Sequence, residues 1–430
     1  MDMFHFLERL NLIIALVFTA IYLYQGFYLV LGFLRRHHHV RYEPSCEHRF
    51  AAVIAARNEE GVIAELIRCL KQQQYPADLL DVYVVADNCT DHTAKVAREA
   101  GALVYERHDQ VHKGKGYAMD FLFHQLEQEG KADYDGYMVF DADNLVDSHF
   151  VCEMNKVFDR GYDAVTCYRN SKNFGQNWIS AGYSIWFLRE ARFLNFPRML
   201  LRTNCHVSGT GFLISAKLVE KNGGWPFHLL TEDIEFSVNC AIEGNTIGYC
   251  EKAIVYDEQP TTFQQSWDQR LRWSKGFYQV DRDYGPALIK GCLRGGRKGT
   301  SCYDMLVTVA PGMLLTLVLL ALNTVMVVAC FTQPAYWANR ILGEAMSFIG
   351  GSLISFYVGM FAYGLLTVLC EWKRIQATPA QKLGYLVTFP LFMLTYIPIS
   401  VAALVRQVEW KPIYHTASAA AARQGQLNNL

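Results

Sequence analysis

The chain alternates between long, uniformly apolar segments and a central region in which apolar and polar residues are mixed. Residues 11–34 contain no charged residue and are long enough to cross a hydrocarbon layer of about 30 Å. Three more apolar segments occur at about 305–331, 346–370 and 384–405. Each is longer and more evenly apolar than a buried helix of a soluble protein. The pattern predicts one amino-terminal and three carboxy-terminal transmembrane helices.

Basic residues predict how these helices are oriented. Three arginines lie within residues 35–41, directly after the first apolar segment, and such residues favour the cytoplasmic side. The connection 371–383 carries three cations and 332–345 carries one, so the former is the better cytoplasmic loop. Pro390 and Pro398 could bend the last segment or make it a re-entrant loop. The sequence therefore does not predict on which side of the membrane the carboxy-terminal tail lies. We expect a multi-pass plasma-membrane protein with its central domain in the cytoplasm.

The central region, residues 48–260, alternates short apolar runs with amphipathic stretches. The predicted strands are 50–56, 81–87, 102–106 and 136–143. A helix is expected from Glu59 to about Gln73, because its apolar residues recur at helical spacing. Strands that alternate with helices predict a parallel sheet, which binds ligands at the carboxyl ends of its strands. The region is therefore expected to have an α/β fold.

Composition and charge narrow the classes of function. A hydrophobic fraction of 51% is high for a soluble enzyme and agrees with membrane segments. The formal net charge of −1 gives no basic field that would predict nucleic-acid binding. The 12 cysteines include no CxxC pair or zinc-ligand spacing, so we predict neither disulfides nor a zinc site. The three histidines at 37–39 are expected at the membrane interface, and a metal site is the less favoured alternative.

Carboxylates stand at the ends of the predicted strands. Asp87 ends the second strand, and Asp141 and Asp143 of the FDADN segment end the fourth. Their alternation lets both side chains reach one ligand, and paired carboxylates suit Mg²⁺ or Mn²⁺ that is shared with substrate phosphates. A solvated turn is the alternative, because an Asp-x-Asp pattern is short and common. The sequence thus suggests a site for a metal ion and a nucleoside diphosphate.

Two further segments carry candidate chemistry. Lys113 and Lys115 lie between glycines just before a predicted helix, where cations and free amides would bind an anion such as phosphate. A solvated loop is the alternative for this segment. Thr231 is expected to cap a helix whose first turn holds Asp233, a carboxylate that could accept a proton from a hydroxyl group. A simple capping role is the alternative there.

The QRLRW segment lies in a predicted amphipathic helix at 266–280 that is rich in aromatic and basic residues. Such a helix could lie on the membrane surface. Arg272 could also meet diphosphate charge while Trp273 offers a flat apolar face to a sugar ring. Both interpretations can hold together. The expected domains are 1–47, 48–260, 261–300 as an interfacial unit, and 301–430 in the membrane.

The ordered set DNCTD, DAD, TED and QRLRW resembles the processive membrane branch of glycosyltransferase family 2. That branch includes cellulose, hyaluronan, chitin and poly-N-acetylglucosamine synthases. The resemblance covers residues 50–280 and implies a nucleotide-diphospho-sugar transferase fold of the A type, called GT-A, inserted between transmembrane helices. It implies an inverting hexosyltransferase with a UDP-sugar donor, Mg²⁺ or Mn²⁺, a growing polysaccharide and membrane lipids. An accessory export subunit or a second copy of the chain in a homo-oligomer is a further expected partner. Nucleic acid is not an expected partner.

The resemblance also implies roles for individual residues. Asp233 matches the general base, with Glu232 beside it in the catalytic group. Asp143 and Asp141 match the metal ligands, Asp143 being the more direct one. With Lys113 and Lys115 included, the residues expected to bind the nucleotide sugar are Arg57, Glu59, Asp87, Lys113, Lys115, Asp141, Gln269, Arg272 and Trp273.

The expected function is polymerisation of sugar into a β-linked polysaccharide and its passage across the membrane. The alternative is a membrane glycosyltransferase that adds single sugars to a lipid, as ceramide glucosyltransferases do with a related motif. The QRLRW segment does not separate the two. A transporter with a degenerate nucleotide-binding domain is less favoured, because all of the expected catalytic residues are present.

Overall fold

A computed structural model describes residues 3–35, 43–332 and 334–408. Its centre is a mixed eight-stranded sheet with the order β3-β2-β1-β4-β7-β6-β8-β5. The strands are β1 Phe50–Ala56, β2 Leu80–Asp87, β3 Leu103–Arg107, β4 Gly136–Asp141, β5 Leu145–Val146, β6 Ala164–Ser171, β7 Phe212–Ser215 and β8 Ile247–Asp257. Strands β1 to β4 pair in parallel with one another, whereas β7 is antiparallel to both of its neighbours. The four predicted strands and the α/β fold are confirmed, but the fourth strand ends at Asp141 rather than at residue 143. The prediction of a parallel sheet is wrong for the whole sheet, because β7 makes it mixed.

Both faces of the sheet are covered, and this explains why β1 is apolar throughout. Val53 faces one hydrophobic cluster and Ile54 faces the other, and both are fully buried. The helices of this half are α2 Ile63–Lys71, α3 Thr93–Glu99, α4 Lys115–Gln128 and α5 Phe150–Phe158. Helix α2 is shorter than predicted, because the chain first makes a turn in which the Val62 N–H donates to the Glu59 carbonyl.

The second half of the domain leads from the sheet to the apolar helices. Its helices are α6 Trp178–Glu190, α7 Phe196–Leu201, α8 Ala216–Asn222, α9 Glu232–Glu243, α10 Phe263–Cys292 and α11 Gly296–Val309. Helix α10 contains the QRLRW segment and is twice as long as the predicted 266–280. Residues of α9, α10 and α11, among them Val238, Val280 and Met305, form a separate buried cluster. The long helix α10 is therefore held against the catalytic domain by its neighbours.

The remaining helices are α1 Met3–Leu34, α12 Pro311–Cys330, α13 Ala335–Cys370, α14 Pro379–Leu394 and α15 Tyr396–Val405. In the described residues, Arg9–Leu34, Ala338–Cys370 and Pro379–Val405 are long and apolar enough to cross a membrane. These segments support association with a membrane. The basic residues 36–42, including the histidine run, and the tail from residue 409 lie outside the described residues.

The prediction of one continuous helix at 305–331 is wrong. Helix α11 ends at Val309, and Pro311 starts α12. Proline has no N–H to donate within a helix but is favourable in its first turn, so the chain breaks here. The apolar part of α12, Leu315–Ala329, is shorter than the other three segments.

A buried arginine joins α10 to the last two helices. The Arg270 guanidinium donates to the Phe392 carbonyl (3.1 Å) and to Thr395 Oγ1 (2.6 Å), at the break between α14 and α15. It also lies over the rings of Phe392 and Tyr396, at 4.3 and 5.0 Å from their centres. Arg270 thus adds a buried donor at the helix break, where the Thr395 N–H also donates to the Phe392 carbonyl at 3.3 Å.

Candidate active site

All of the residues that the sequence nominated line a cavity of about 820 Å³ at the carboxyl edge of β1, β2 and β4. They are Arg57, Glu59, Asp87, Lys113, Lys115, Asp141, Asp143, Glu232, Asp233, Gln269, Arg272 and Trp273. The cavity continues beyond the sheet to side chains of α1, α12 and α13, such as Phe18, Leu317 and Phe356. It therefore joins the carboxylates to the apolar helices.

One end of the cavity is formed by Asp87 and its neighbours. Arg107 Nη1 donates to Asp87 Oδ1 at 2.7 Å, and Asn88 Nδ2 donates to the same oxygen at 2.9 Å. Burial raises the pKa of Asp87, although Arg107 and the nearby Arg57 act in the opposite direction. Glu59 begins the turn after β1, and its backbone N–H donates to Thr93 Oγ1. These charged residues form the end of the cavity where the sequence predicts nucleotide binding.

The two aspartates of FDADN lie on the cavity side of β4. Asp141 is the last residue of β4 and Asp143 follows it in a turn, and both line the cavity. Lys115 Nζ lies 2.5 Å from Asp141 Oδ1 and donates also to the Gly209 carbonyl at 2.6 Å. Asp143 is nearly buried, and Asn144 Nδ2 lies 3.4 Å from its Oδ1.

These residues fit a divalent cation. Asp141 and Asp143 offer hard carboxylate oxygens, which Mg²⁺ and Mn²⁺ prefer. The Lys115 ammonium against Asp141 shows that the site already stabilises positive charge. Asp141 and Asp143 would hold the ion, and the flanking lysine would remain available for phosphate oxygens.

Glu232 and Asp233 form the first turn of α9 and face the cavity. Burial raises the pKa of Asp233, against the effect of backbone hydrogen bonds from Ile234 and Gly209. Burial and, secondly, the negative charge of Asp233 raise the pKa of Glu232 to about 7. A buried carboxylate with a raised pKa is a suitable proton acceptor for a hydroxyl group.

The predicted cap of α9 is wrong. Thr231 occupies the position before the helix, but its side chain makes no capping hydrogen bond. Its Oγ1 instead packs against α10, where a Cβ on Gly276 would lie only 2.5 Å away. Among the described residues, this hydroxyl has no hydrogen-bond partner. Close approach of α10 to α9 has therefore displaced the cap, and it requires glycine at 276.

Trp273 is held rigidly at the cavity wall. Its ring makes edge-to-face contacts with Tyr183 (5.7 Å between ring centres) and with Phe187 (6.2 Å). Gln269 and Arg272 line the cavity from the same helix, α10, whereas Arg270 points into the helix junction described above. The QRLRW segment thus contributes three residues to the cavity wall and two to the scaffold, Arg270 and Leu271, which is buried against Ile399 and Ala403.

The cavity also contains an ion pair that the sequence reasoning missed. Arg169 Nε donates to Asp257 Oδ2 at 3.0 Å, and Arg169 Nη1 donates to the Ser208 carbonyl at 2.9 Å. Burial acts to raise the pKa of Asp257, but Arg169, with smaller effects of Gln259 and Lys172, lowers it overall. Asn144 bridges Asp257 (3.0 Å) to Asp143. Asp257 ends β8, so the strand-end argument used for Asp87 would have found it had that strand been predicted.

A second missed pair is Glu190 with His206. Glu190 Oε1 lies 3.0 Å from His206 Nε2. Burial acts to raise the pKa of Glu190, but His206, a hydrogen bond from Ser208 and the charge of Arg169 together lower it to about 2. Glu190 is therefore ionised on the cavity wall, paired with His206. The two residues come from α6 and from the loop after α7, and no local pattern connects them.

Comparison with known proteins agrees with this geometry. The family described as glycosyltransferase like family 2 matches residues 48–276. The fold is similar to that of a mannosyltransferase from Pyrobaculum calidifontis, solved with GDP-Man and Mn²⁺, with a TM-score of 0.55 and 18% identity. That similarity covers 92% of this chain and 99% of the other. The predicted GT-A fold is confirmed.

Curated relatives include two kinds of enzyme. The chain is 27% identical over 384 residues to a beta-monoglucosyldiacylglycerol synthase of Trichormus variabilis, which covers 85% of this chain and 76% of the relative. It is 23% identical over 245 residues to a poly-beta-1,6-N-acetyl-D-glucosamine synthase of Staphylococcus epidermidis, which covers 55% and 56%. The processive branch therefore stays a prediction. The match to more than half of its length shows that the chain belongs to glycosyltransferase family 2, and it is a hexosyltransferase.

Proposed function

We propose that this enzyme transfers a hexose from a UDP-sugar, with inversion, to the hydroxyl group of a membrane lipid. One observation carries the proposal: the cavity that holds the carboxylates continues between apolar side chains of the membrane helices. A lipid whose hydroxyl reaches Asp233 would thus have its acyl chains in the apolar part.

The lining of that part favours an acyl chain over a sugar chain. Phe18 and Leu29 of α1, Leu317 of α12, and Phe356 and Met360 of α13 border it. Apolar walls stabilise hydrocarbon, whereas the hydroxyl groups of a polysaccharide would lose their hydrogen bonds to water there. The relative named as a beta-monoglucosyldiacylglycerol synthase, which covers most of this chain, supports glucose as the sugar and diacylglycerol as the acceptor.

The side chains support an inverting transfer. Lys115 and Arg272 would bind the diphosphate, and Asp233 would accept the proton of the lipid hydroxyl as its oxygen attacks the anomeric carbon. The bond from that carbon to the diphosphate oxygen breaks, and UDP leaves with the electron pair. A divalent cation held by Asp141 and Asp143 would neutralise the charge that develops on the diphosphate. Attack opposite to the leaving group inverts the configuration.

A processive polysaccharide synthase is the second candidate. Trp273, fixed at the cavity wall by Tyr183 and Phe187, offers an aromatic face on which an acceptor sugar could stack. The similarity to poly-beta-1,6-N-acetyl-D-glucosamine synthases over about half of the chain supports this candidate. In that case a growing polysaccharide, and an accessory subunit or a second copy for export, would be the partners.

We further infer that the catalytic domain faces the cytoplasm. The connection between α13 and α14, which has the excess of cations, lies against the catalytic domain. Its Glu371 accepts hydrogen bonds from Tyr168 (2.8 Å) and Arg192 (2.6 Å). The domain is therefore on the same side as the more basic loop, and basic loops favour the cytoplasm.

Release of UDP by purified protein in nanodiscs tests the proposal. With UDP-glucose and Mg²⁺ or Mn²⁺, we expect release to depend on added diacylglycerol and to be lost in Asp233→Asn. Asp283→Asn, an exposed aspartate of α10 paired with Arg282, is the matched control and should behave as wild type. Release that is independent of lipid and accompanied by an insoluble sugar product would favour the second candidate.

A further inference from the structure

Besides the carboxylates of the cavity, the structure brings together three potential metal-binding atoms near the start of β1: a sulfur, a nitrogen and an oxygen. Cys46 Sγ is 3.5 Å from His48 Nε2 and 3.6 Å from Asp159 Oδ1, and the latter two atoms are 3.1 Å apart. Zinc bonds of about 2.0–2.3 Å in a tetrahedral shell place neighbouring ligand atoms roughly 3.3–3.8 Å apart. The three observed distances are close to the ligand–ligand distances of such a tetrahedral shell.

The backbone that carries the first two ligands is fixed. The buried Asn155 of α5 accepts a hydrogen bond from the His48 N–H (3.1 Å) and donates one to the Cys46 carbonyl (2.9 Å). Tyr75 Oη donates to the His48 carbonyl at 2.6 Å. The His48 ring packs edge-to-face on Phe158, with 5.1 Å between ring centres. The ligands are therefore oriented by contacts that do not involve a metal ion.

Two further contacts orient the ligand atoms themselves. His48 Nδ1 lies 3.3 Å from Asp135 Oδ2, so the carboxylate can hold the ring with Nε2 toward Cys46 and Asp159. A carboxylate on the second nitrogen is the usual support of a zinc-binding histidine. Ser45 N–H donates to Asp159 Oδ2 at 2.7 Å, and Oδ1 of the same group faces Cys46 and His48.

We propose that Cys46, His48 and Asp159 bind a zinc ion, with Asp135 as the positioning residue for His48. On binding, the Cys46 thiol loses its proton to solvent and the thiolate bonds to zinc, without a change of oxidation state. Water completes the four-coordinate shell. The set of sulfur, nitrogen and oxygen ligands suits zinc, whereas the all-oxygen set of Asp141 and Asp143 suits Mg²⁺ or Mn²⁺.

The site would join the segment before β1 to the end of α5. Asp159 directly follows α5, and it lies 111 residues from His48 in the chain. This separation explains why the sequence predicted no zinc site: a cysteine and a histidine two residues apart do not form a recognisable ligand pattern alone. The fold supplies the third ligand and the positioning carboxylate.

Cobalt substitution tests the proposal in the full-length protein in detergent, after chelator treatment. One equivalent of Co²⁺ should give a thiolate-to-cobalt charge-transfer band, which the Asp141 and Asp143 site cannot give because it contains no sulfur. Cys46→Ser should remove the band and Cys292→Ser, a part-buried thiol at the end of α10, should keep it. Asp135→Asn retains all three ligands and should weaken competing Zn²⁺ binding about 10- to 100-fold.

Two further readouts keep the test decisive. UDP release with Mg²⁺ should be unchanged in Cys46→Ser and Asp135→Asn, which shows that these variants fold. Zn²⁺ should raise the melting temperature of wild type and not that of Cys46→Ser. Absence of the band in wild type, its persistence in Cys46→Ser, or unchanged zinc affinity in Asp135→Asn would overturn the proposal.

Discussion

Lys115 and Asp141 form an ion pair at 2.5 Å on the wall of the active-site cavity. The lysine starts α4 and the aspartate ends β4, so the pair links two sides of the site. A diphosphate and its cation would compete for both partners: phosphate oxygens attract the ammonium, and the cation attracts the carboxylate. We therefore expect this pair to separate when the donor binds.

The first prediction concerns this lysine. Lys115→Gln removes a charge-assisted contact to phosphate, worth about 1.5–3 kcal/mol, and should raise the KM for the UDP-sugar roughly 10- to 100-fold. Lys113→Gln is the matched control, since Lys113 is exposed on the preceding loop, and its effect should be smaller. Initial rates at varied donor concentration measure both. Equal effects of the two variants would contradict the assignment.

The second prediction separates the two acidic residues of α9 by pH. The raised pKa of Glu232, about 7, means that the group is neutral below this pH and ionised above it. Glutamine mimics the neutral form, so Glu232→Gln should match wild type at about pH 6 and differ from it at about pH 8. Asp233→Asn should be inactive at both values, because it removes the proposed general base.

The pH profile of kcat/KM for wild type and both variants measures this separation. The ratio of wild type to Glu232→Gln should change through about pH 7. A ratio that is constant across the range would show that Glu232 does not titrate there. Measurable activity of Asp233→Asn would assign the base elsewhere.

Much of the fold followed from local patterns in the sequence. The run FAAVIAA predicted β1 with its observed ends, because a strand covered on both faces is apolar at every position. The strand-end argument predicted that Asp87, Asp141 and Asp143 share one edge of the sheet, and all three line the same cavity. The continuous helix predicted at 305–331 failed because hydropathy does not register the break that Pro311 imposes.

The parts of the site that escaped prediction depend on long-range contacts. Arg169 and Asp257 are 88 residues apart, and Glu190 meets His206 only after the chain has turned through α7. Thr231 was predicted to cap α9, but the close approach of Gly276 displaced its side chain. The local sequence around Thr231 does not reveal which distant residue packs against it. Tertiary packing here overrides a local preference.

The third prediction contrasts two arginines of one motif. Arg270→Met removes the buried guanidinium that donates to the Phe392 carbonyl and to Thr395 Oγ1, which should cost about 1–3 kcal/mol and lower the melting temperature. Arg272→Gln, on the cavity wall, should lower activity and leave the melting temperature unchanged. Thermal unfolding in detergent and UDP release give the two readouts. The opposite pattern would show that the roles are reversed.

The fourth prediction concerns the fully buried pair of Arg198 and Asp304. The two groups make hydrogen bonds of 2.8 and 2.7 Å, and Tyr24 and Tyr28 of α1 donate to the same carboxylate. Asp304→Asn leaves a buried charge unpaired, which should cost about 3–5 kcal/mol. Yield of monodisperse protein should fall sharply, whereas the exposed Asp283→Asn should have no effect. Normal yield and melting temperature in Asp304→Asn would refute a structural role.

The fifth prediction tests the apolar part of the cavity. Met360→Trp adds volume to its wall, and overpacking of this kind costs about 1–3 kcal/mol, so the KM for the lipid should rise roughly 5-fold or more. The KM for the UDP-sugar should stay within about 2-fold, because that site is at the sheet edge. Val358→Trp is the control, since Val358 is 59% exposed on the same helix. An unchanged KM for the lipid would show that the acyl chain does not bind in this part of the cavity.

The size of the product tests the central claim most directly. Wild-type enzyme in nanodiscs is given UDP-glucose and diacylglycerol, and the products are analysed by mass spectrometry after extraction. We predict a lipid that carries a single added hexose in β configuration, and no such product with Asp233→Asn. A ladder or a high-mass polymer of sugar, formed equally well without diacylglycerol, would contradict transfer to a lipid and establish a polysaccharide synthase.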